Sequence, residues 1–106
     1  MNTINLVGRL GGDPELKEVG DSHVANFSIA TDSRIKKEKV TQWHRCSLWG
    51  KSAVALAEHL KKGDVVGVTG EVQYTKVEGG KGYYVNIACS NFHFIPGNKK
   101  NEEGEF

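Results

Sequence analysis

The chain has 106 residues, a formal net charge of +1 and 38% hydrophobic residues, which predicts one domain with a core just large enough to fold alone. No apolar run approaches the ~20 residues that cross a membrane. The first residues lack the charged segment and long apolar stretch of a signal peptide, so we expect a cytoplasmic protein.

Short strand-like runs broken by glycine-containing turns dominate the first half of the chain. Alternation of apolar and polar residues predicts strands over 4–9 and 24–31. The stretch "GGDPE" between them predicts a turn. We expect a basic loop over 32–39, and then a third strand that runs through "TQWHRCSLWGK".

At the start of the second half, the spacing of apolar residues changes from that of a strand to that of a helix. Helical spacing of apolar residues predicts a helix over 51–62, ended by Gly63. Strands over 65–74 and 83–95 follow, joined by the glycine-rich hairpin tip "KVEGGKG". The polar residues after 95 are typical of a disordered tail. We therefore expect a folded domain over 1–95 and a short tail with an acidic tip over 96–106.

This order of elements predicts the fold class. Five strands with one helix between the third and the fourth are typical of an OB-fold, an all-β Greek-key barrel. A helix packed on an open antiparallel sheet is the alternative that periodicity leaves open. Strand count and helix position favour the barrel.

Side chains alternate along a strand, so parity divides the third predicted strand into two faces. One face carries aromatic and cationic side chains together: Trp43, Arg45, Trp49 and, just beyond the strand, Lys51. The other face carries smaller apolar residues suited to a barrel interior: Cys46 and Leu48, beside His44. The first face suits a nucleic-acid strand, because bases stack on indoles while cations neutralise phosphates. Packing against another subunit explains the same residues equally well.

Charge is distributed unevenly around this strand. Six cations stand against the single acid Glu38 between positions 34 and 51: Arg34, Lys36, Lys37, Lys39, Arg45 and Lys51. Such a strip is the electrostatic pattern of a surface that binds a polyanion. A solvated surface loop gives the same pattern. The last residues, "NEEGEF", are acidic, and charge alone indicates no more than a ragged terminus.

Several stretches of the sequence together resemble a known family. The stretch "WHRCSLWGKSAVALAEHLKKGDVVGVTGEV" resembles the "WHR…(W/F)GK…A…LKKG…V…G" core of bacterial and phage single-stranded DNA-binding proteins. The segments "INLVGRLGGDPELK" and "VANFSIATD" are similar to the first and second strands of that family, so the resemblance covers nearly all of 1–95. It implies an OB-fold without enzymatic activity or cofactor. It also implies sequence-independent binding of single-stranded DNA in replication, recombination and repair, by the stacking mechanism established for this family.

The resemblance also implies roles for individual residues. Trp43 and Trp49 match the aromatics that stack on bases, and His44 matches a histidine near the subunit interface of what is usually a homotetramer. The cations that match DNA-contacting positions are Arg45, Lys51, Lys62 and, more loosely, Arg9 and Lys76. The acidic end resembles a reduced form of the tip that docks on replication and repair enzymes: Glu102, Glu103, Glu105 and Phe106.

Two aromatics of the family pattern are absent. Many relatives carry a further tryptophan after the second strand, where this chain has Arg34 and Ile35. The family often reads "R-x-R-K-W" after the fourth strand, whereas "QYTKV" ends here in Val77. We expect phosphate contacts from Lys36, Lys37 and Lys39 to compensate in part. Tyr74 is a candidate substitute, although parity places it with Val72 on the other face.

Three other functions compete with this interpretation. A zinc enzyme built from His44, Cys46, Cys89 and His93 lacks the tight Cys-x-x-Cys spacing of structural zinc sites, and "GRLGG" matches no nucleotide-binding fingerprint. Both cysteines suit a reduced core, where a disulfide is possible but unnecessary. A protein-interaction OB-fold with secondary nucleic-acid binding is the main alternative, and the acidic tip argues against it. An RNA-binding OB-fold is distinguished only by comparing RNA with DNA.

Overall fold

Six strands and one helix make up residues 1–95, the part of the chain that the computed structural model describes. In chain order they are β1 (Ile4–Leu10), β2 (Glu15–Val19), β3 (Ser22–Ile35), β4 (Glu38–Trp49), α1 (Lys51–His59), β5 (Val65–Lys76) and β6 (Tyr83–Phe94). The predicted tail, 96–106, lies outside the described residues. Within 1–95 no helix has the length and apolarity needed to span a membrane.

Five of the strands close into a barrel. The sheet runs β1-β5-β6-β4-β3, and β1 returns to pair with β3 through Arg9↔Ala30 and Leu10↔Ile29. β4 and β6 are parallel over 46–48 and 87–89, and the other pairs are antiparallel. Since α1 separates β4 from β5, the helix lies between the third and fourth barrel strands. The predicted five-stranded OB-fold barrel is confirmed.

The strand β2 was not predicted. It pairs only with β3, at the edge of the sheet, from Glu15↔Asn26 to Val19↔Ser22. Every residue of β2 is exposed. A strand with no buried face shows no apolar alternation, so the pattern that reveals half-buried strands was missing.

The prediction of a loop over 32–39 was wrong. β3 and β4 continue pairing as a hairpin as far as Ile35↔Glu38, and only Lys36 and Lys37 form the turn. The last four residues of β3 and the first two of β4 are exposed on both faces. Exposure on both faces again removes the periodic signal. The hairpin carries four cations of the basic strip beyond the barrel: Arg34, Lys36, Lys37 and Lys39.

The core lies where the inward side chains of the strands meet α1. Ile29, Leu48 and Val66 from the strands, together with Leu56 and Leu60 from and after the helix, are at most 1% exposed. Burying side chains of this size stabilises the fold by ~1.5–3 kcal/mol each. The barrel is therefore packed without any help from the two tryptophans.

Gly50 connects β4 to α1. Its φ of 88° and ψ of −154° belong to a region that is essentially restricted to glycine. The Gly50 N–H donates to the His23 carbonyl at 2.9 Å, and its carbonyl accepts from the Ala53 N–H at 3.0 Å. The turn ends β4 at Trp49 and fixes the position of the strand. α1 itself ends earlier than predicted, at His59, because Leu60 is extended.

Candidate nucleic-acid interface

β4 presents both tryptophans on its outward face. Trp43 is 61% exposed and Trp49 is 53% exposed, and Arg45 is exposed between them. On the inward face Cys46 and Leu48 are 2% and 1% exposed. The predicted division of this strand into two faces is confirmed, and the indoles are surface groups. We call the outward surface around Trp43, Arg45 and Trp49 the β4 outer face.

Neighbouring strands add a further cation and small residues to the β4 outer face. Side chains paired across a sheet point to the same side. The register Arg9↔Ala30 and Ala30↔Trp43 puts Arg9 in the same row as Trp43, with only the small Ala30 between them. The next row along β4 pairs Ser28 with Arg45. Small residues between the large ones leave the face open to a flat ligand.

Gly11 fixes the position of the Trp43 indole. A Cβ atom at Gly11 would lie 2.4 Å from Cζ3 of Trp43 and 3.1 Å from its Cη2, so the ring rests directly against the glycine. The Gly11 N–H donates to the Ser28 carbonyl at 3.0 Å, which holds the turn against β3. The sequence predicted a turn here, but nothing in it indicated this contact.

A groove of about 690 Å³ opens on the same face where β4 and β6 separate. We call it the β4–β6 groove. Its lining includes Trp43 and Arg45 from β4, Tyr84 and Asn86 from β6, and residues of β2 and β3. The turn 11–13 also lines it. Its volume lies within the ~300–1,000 Å³ of small-molecule sites, so part of a nucleotide fits.

Sequence reasoning missed Tyr84. This tyrosine is 55% exposed and shares the outward face of β6 with Asn86 and Ala88, because the alternating Ile87 and Cys89 are buried. That alternation was the available signal. The tyrosine considered instead, Tyr74, lies on the other side of the β5–β6 ribbon. Its ring meets that of Tyr83 edge-on, with centroids 6.4 Å apart.

The β3–β4 hairpin carries most of the basic strip. Arg34 and Lys39 are paired across the hairpin, and Lys36 and Lys37 form its turn with φ of 52° and 70°. The ammonium of Lys39 lies 3.6 Å from a carboxylate oxygen of Asp32. Asp32 precedes the basic strip defined from the sequence, and it offsets part of the charge of the hairpin.

The remaining predicted cations lie in three places. Lys51 begins α1. The backbone N–H of Lys62 donates to Oδ1 of Asp13 at 2.8 Å, which brings Lys62 beside the turn that lines the β4–β6 groove. Lys76 is paired with Tyr83, and therefore lies on the opposite face of the ribbon from Tyr84. The structure thus brings Lys62 beside the turn that borders the groove and puts Lys76 on the face opposite Tyr84.

His44 belongs to the inward-facing set of β4 and is half-buried. Its Nε2 and the hydroxyl of Thr31 are joined by a hydrogen bond of 2.8 Å. Its role at a subunit interface stays a prediction. Cys46 and Cys89 are free thiols. A hydrogen bond with Cys89, together with burial, raises the pKa of the Cys46 thiol, which therefore stays protonated at neutral pH.

The described residues contain no group of side chains that supports the zinc alternative. Within residues 1–95, no three side chains of His, Cys, Asp or Glu are grouped as metal ligands. An OB-fold barrel with exposed aromatics and cations along one face is an arrangement suited to binding a single nucleic-acid strand.

Comparisons with known proteins identify the family. The model of the single-strand binding protein family matches residues 1–95. The chain is 34% identical to single-stranded DNA-binding protein 1 of Chlorobaculum tepidum, over 90% of this chain and 65% of that protein. It is 34% identical to single-stranded DNA-binding protein 2 of Clostridium acetobutylicum, over 90% of this chain and 77% of that protein.

A third relative, single-stranded DNA-binding protein 1 of Lactococcus lactis subsp. lactis, is 32% identical over 93% of this chain and 71% of that protein. The chain thus spans between 65% and 77% of the lengths of these three relatives. It belongs to the single-strand binding protein family, as the sequence resemblance predicted. The family is defined by the binding of single strands rather than by a catalysed reaction.

Proposed function

We propose that this protein binds single-stranded DNA without sequence preference, by stacking bases on Trp43 and Trp49. The observation that carries the proposal is the exposure of the two indoles, 61% and 53%, on one face with Arg45 between them. The names of the relatives, which are single-stranded DNA-binding proteins, support the choice of ligand.

Stacking supplies affinity without reading a sequence. Every base has a π-face, and each base stacked on an aromatic side chain contributes ~1–3 kcal/mol. Along β4 the two tryptophans are six residues apart, which at ~3.3 Å per residue is about 20 Å. A single strand that crosses the β4 outer face meets both indoles. Duplex DNA keeps its bases stacked on each other and offers no free face.

Phosphate contacts are assigned to the exposed cations. The proposed set is Arg9, Arg34, Lys36, Lys37, Lys39, Arg45, Lys51 and Lys62. Lys76 lies on the opposite face of the β5–β6 ribbon from Tyr84, and its contact with DNA stays a prediction from the sequence resemblance. Among the proposed residues Lys39 is paired with Asp32, whereas within residues 1–95 no carboxylate pairs with Arg45. An unpaired guanidinium between two stacking residues is available for the backbone of a bound strand.

The turn of the β3–β4 hairpin supports a role for its two lysines. Positive φ angles of 52° and 70° at Lys36 and Lys37 are disfavoured by ~1–2 kcal/mol per residue for side chains other than glycine. Asn-Gly is the sequence that suits such a turn. Backbone strain of this kind is concentrated at functional sites. We therefore assign phosphate contacts to these two cations at the tip of the hairpin.

The test is equilibrium binding to labelled oligonucleotides, followed by fluorescence anisotropy. We expect tight binding to oligo-dT, little binding to a duplex of equal length, and an affinity that falls as salt rises. An oligo-U arm decides between DNA and RNA, and we expect weaker binding there. Binding to duplex as tight as to oligo-dT would contradict the proposal.

We further propose a homotetramer that acts in the cytoplasm, in DNA replication, recombination and repair. The support is the resemblance of the chain to a family whose members usually assemble in this way, with His44 at a position near the subunit interface. Light scattering gives the mass of the particle in solution. A tetrameric mass that falls in His44→Ala supports the assignment, and a monomer at micromolar concentration contradicts it.

We also propose that the acidic end recruits replication and repair proteins. The residues concerned are Glu102, Glu103, Glu105 and Phe106. Support comes from their resemblance to the acidic tip of the family. Pull-down of genome-maintenance enzymes with the intact chain and with a Phe106 deletion tests this. Equal recovery by the two proteins would contradict it, provided that both bind oligo-dT equally.

A further inference from the structure

Trp43 and Tyr84 lie at the same height on two diverging strands. β4 and β6 are parallel and in register at Ser47↔Ala88. Trp43 precedes Ser47 by four residues, and Tyr84 precedes Ala88 by four residues. An even number of steps returns each side chain to the same face, so both rings project outward. At ~3.3 Å per residue, both lie about 13 Å from the point where the strands are paired.

Both rings line the β4–β6 groove. Its volume of about 690 Å³ is also bordered by the turn 11–13 and by residues of β2 and β3, and the described residues show no ring contact between Trp43 and Tyr84. Polar groups lie towards the point where the strands meet. The Asn86 amide Nδ2 donates to the Ser47 hydroxyl at 3.0 Å, and Arg45 projects beside it. The two rings offer flat surfaces, and the polar groups lie towards the paired part of the strands, which matches the faces and edges of a base.

The charges around the groove select which part of a nucleotide enters. Asp13 and Glu15 line the side formed by the turn and β2. Glu15 lies 3.1 Å from the Lys17 ammonium, and Asp13 accepts the Lys62 N–H. Lys17 also lines this side and balances Glu15, so the Asp13 carboxylate disfavours a phosphate here, whereas Arg45 favours one at the β4 side. The neutral base is the part that fits, with its phosphate towards Arg45.

We propose that Tyr84 is a third stacking residue, and that Trp43 and Tyr84 form the two walls of a subsite for one or two nucleotide bases. This inference rests on the proposed function and adds an aromatic in β6 to it. A tyrosine that lines the same groove as Trp43 adds stacking surface to the β4 outer face. Stacking on Tyr84 does not distinguish one base from another, so the subsite is expected to add affinity without adding sequence preference.

The first experiment measures oligo-dT affinity by anisotropy in Tyr84→Ala, Tyr84→Phe and Tyr74→Ala. Loss of one base stack weakens binding by about 5- to 150-fold, and we expect this for Tyr84→Ala. Tyr84→Phe keeps the ring and is expected to bind within about twofold of the unmodified protein, since stacking requires no hydroxyl. Tyr74→Ala is the matched control, because Tyr74 is an exposed tyrosine on the other side of the ribbon.

The outcomes separate the inference from the function on which it rests. If the unmodified protein binds oligo-dT, Trp43→Ala weakens binding and Tyr84→Ala does not, the subsite is wrong while the proposed function stands. If the unmodified protein does not bind, the proposed function itself fails. Equal losses in Tyr84→Phe and Tyr84→Ala would assign the effect to the hydroxyl and overturn stacking.

A second measurement uses only the unmodified protein, so it does not depend on whether a variant folds. Ultraviolet crosslinking of the unmodified protein to oligonucleotides that carry 5-iodouracil, followed by peptide mapping, identifies the aromatic residues in contact with bases. We expect crosslinks at Trp43 and Tyr84 and none at Tyr74. Crosslinks at Trp43 and Tyr74 without Tyr84 would reverse the assignment of the two sides of the ribbon.

Discussion

The two faces of β4 have the same backbone and opposite tasks. Cys46 and Leu48 point inward and are nearly fully buried, whereas Trp43 and Trp49 point outward and are more than half exposed. Burial makes the inward residues contribute to the stability of the barrel, and exposure leaves the indoles available to a ligand. Because the tasks alternate residue by residue, substitutions on one strand are expected to separate stability from binding.

The largest expected effect lies on the inward face. Leu48→Ala removes a side chain that is 1% exposed and leaves a cavity in the core. We expect a loss of ~2–5 kcal/mol in the free energy of unfolding, measured by urea or thermal denaturation. The next residue, Trp49, is the control on the opposite face, and Trp49→Ala is expected to lose no more than about 1 kcal/mol. Similar losses in the two variants would remove the distinction between the faces.

On the outward face we expect the converse, a loss of binding without a loss of stability. Trp43→Ala is expected to weaken oligo-dT binding by ~1–3 kcal/mol, the contribution of one stacked base, with little change in the melting temperature. Trp43→Phe keeps an aromatic ring and should retain most of the affinity. Anisotropy and circular dichroism on the same samples report the two quantities. A variant that melts early and still binds normally would contradict the assignment.

The β3–β4 hairpin tests the electrostatic part of the binding. Replacing Lys36 and Lys37 together by Asn and Gly removes two cations and supplies residues suited to their positive φ angles. We expect an unchanged or higher melting temperature. The slope of log affinity against log salt should fall by ~0.7 for each phosphate that the variant no longer neutralises. An unchanged slope would exclude these lysines from the interface.

The smallest effect is expected where the fold positions Trp43. Gly11→Ala puts a methyl group where the indole now rests, at 2.4 Å from Cζ3, and the exposed ring must shift. Binding should weaken by about 2- to 5-fold, a part of the ~1–3 kcal/mol of a full stack. Gly12→Ala is the matched control, because its Cβ would meet nothing within 4 Å. Equal affinities of the two variants would show that the position of the ring is unimportant.

The β4 outer face could be predicted from the sequence because it obeys a local rule. Alternation along one strand assigned Trp43 and Trp49 to the face opposite Leu48, and the structure has them there. The barrel and its helix followed from the same kind of pattern. A half-buried strand shows alternating apolar and polar residues, and this alternation can be recognised without knowing which strands pair with it.

The remaining features depend on contacts between distant residues. Exposed β2 carries no period. The contact of Gly11 with Trp43 requires the closed barrel, and the opposition of Tyr84 and Trp43 requires the parallel register of β4 and β6. No local pattern encodes a register between strands that are far apart in the chain. Tyr84 was therefore visible as an outward residue of its own strand, but its place in the groove was not.

Intrinsic tryptophan fluorescence tests the central claim most directly, because Trp43 and Trp49 are the only two tryptophans in the chain. Trp49→Phe leaves Trp43 as the single reporter, and Trp43→Phe leaves Trp49. Base stacking predicts that oligo-dT strongly quenches the fluorescence of each variant, at concentrations that match the anisotropy titration. Fluorescence that stays unchanged while anisotropy reports binding would mean that DNA binds elsewhere on the protein.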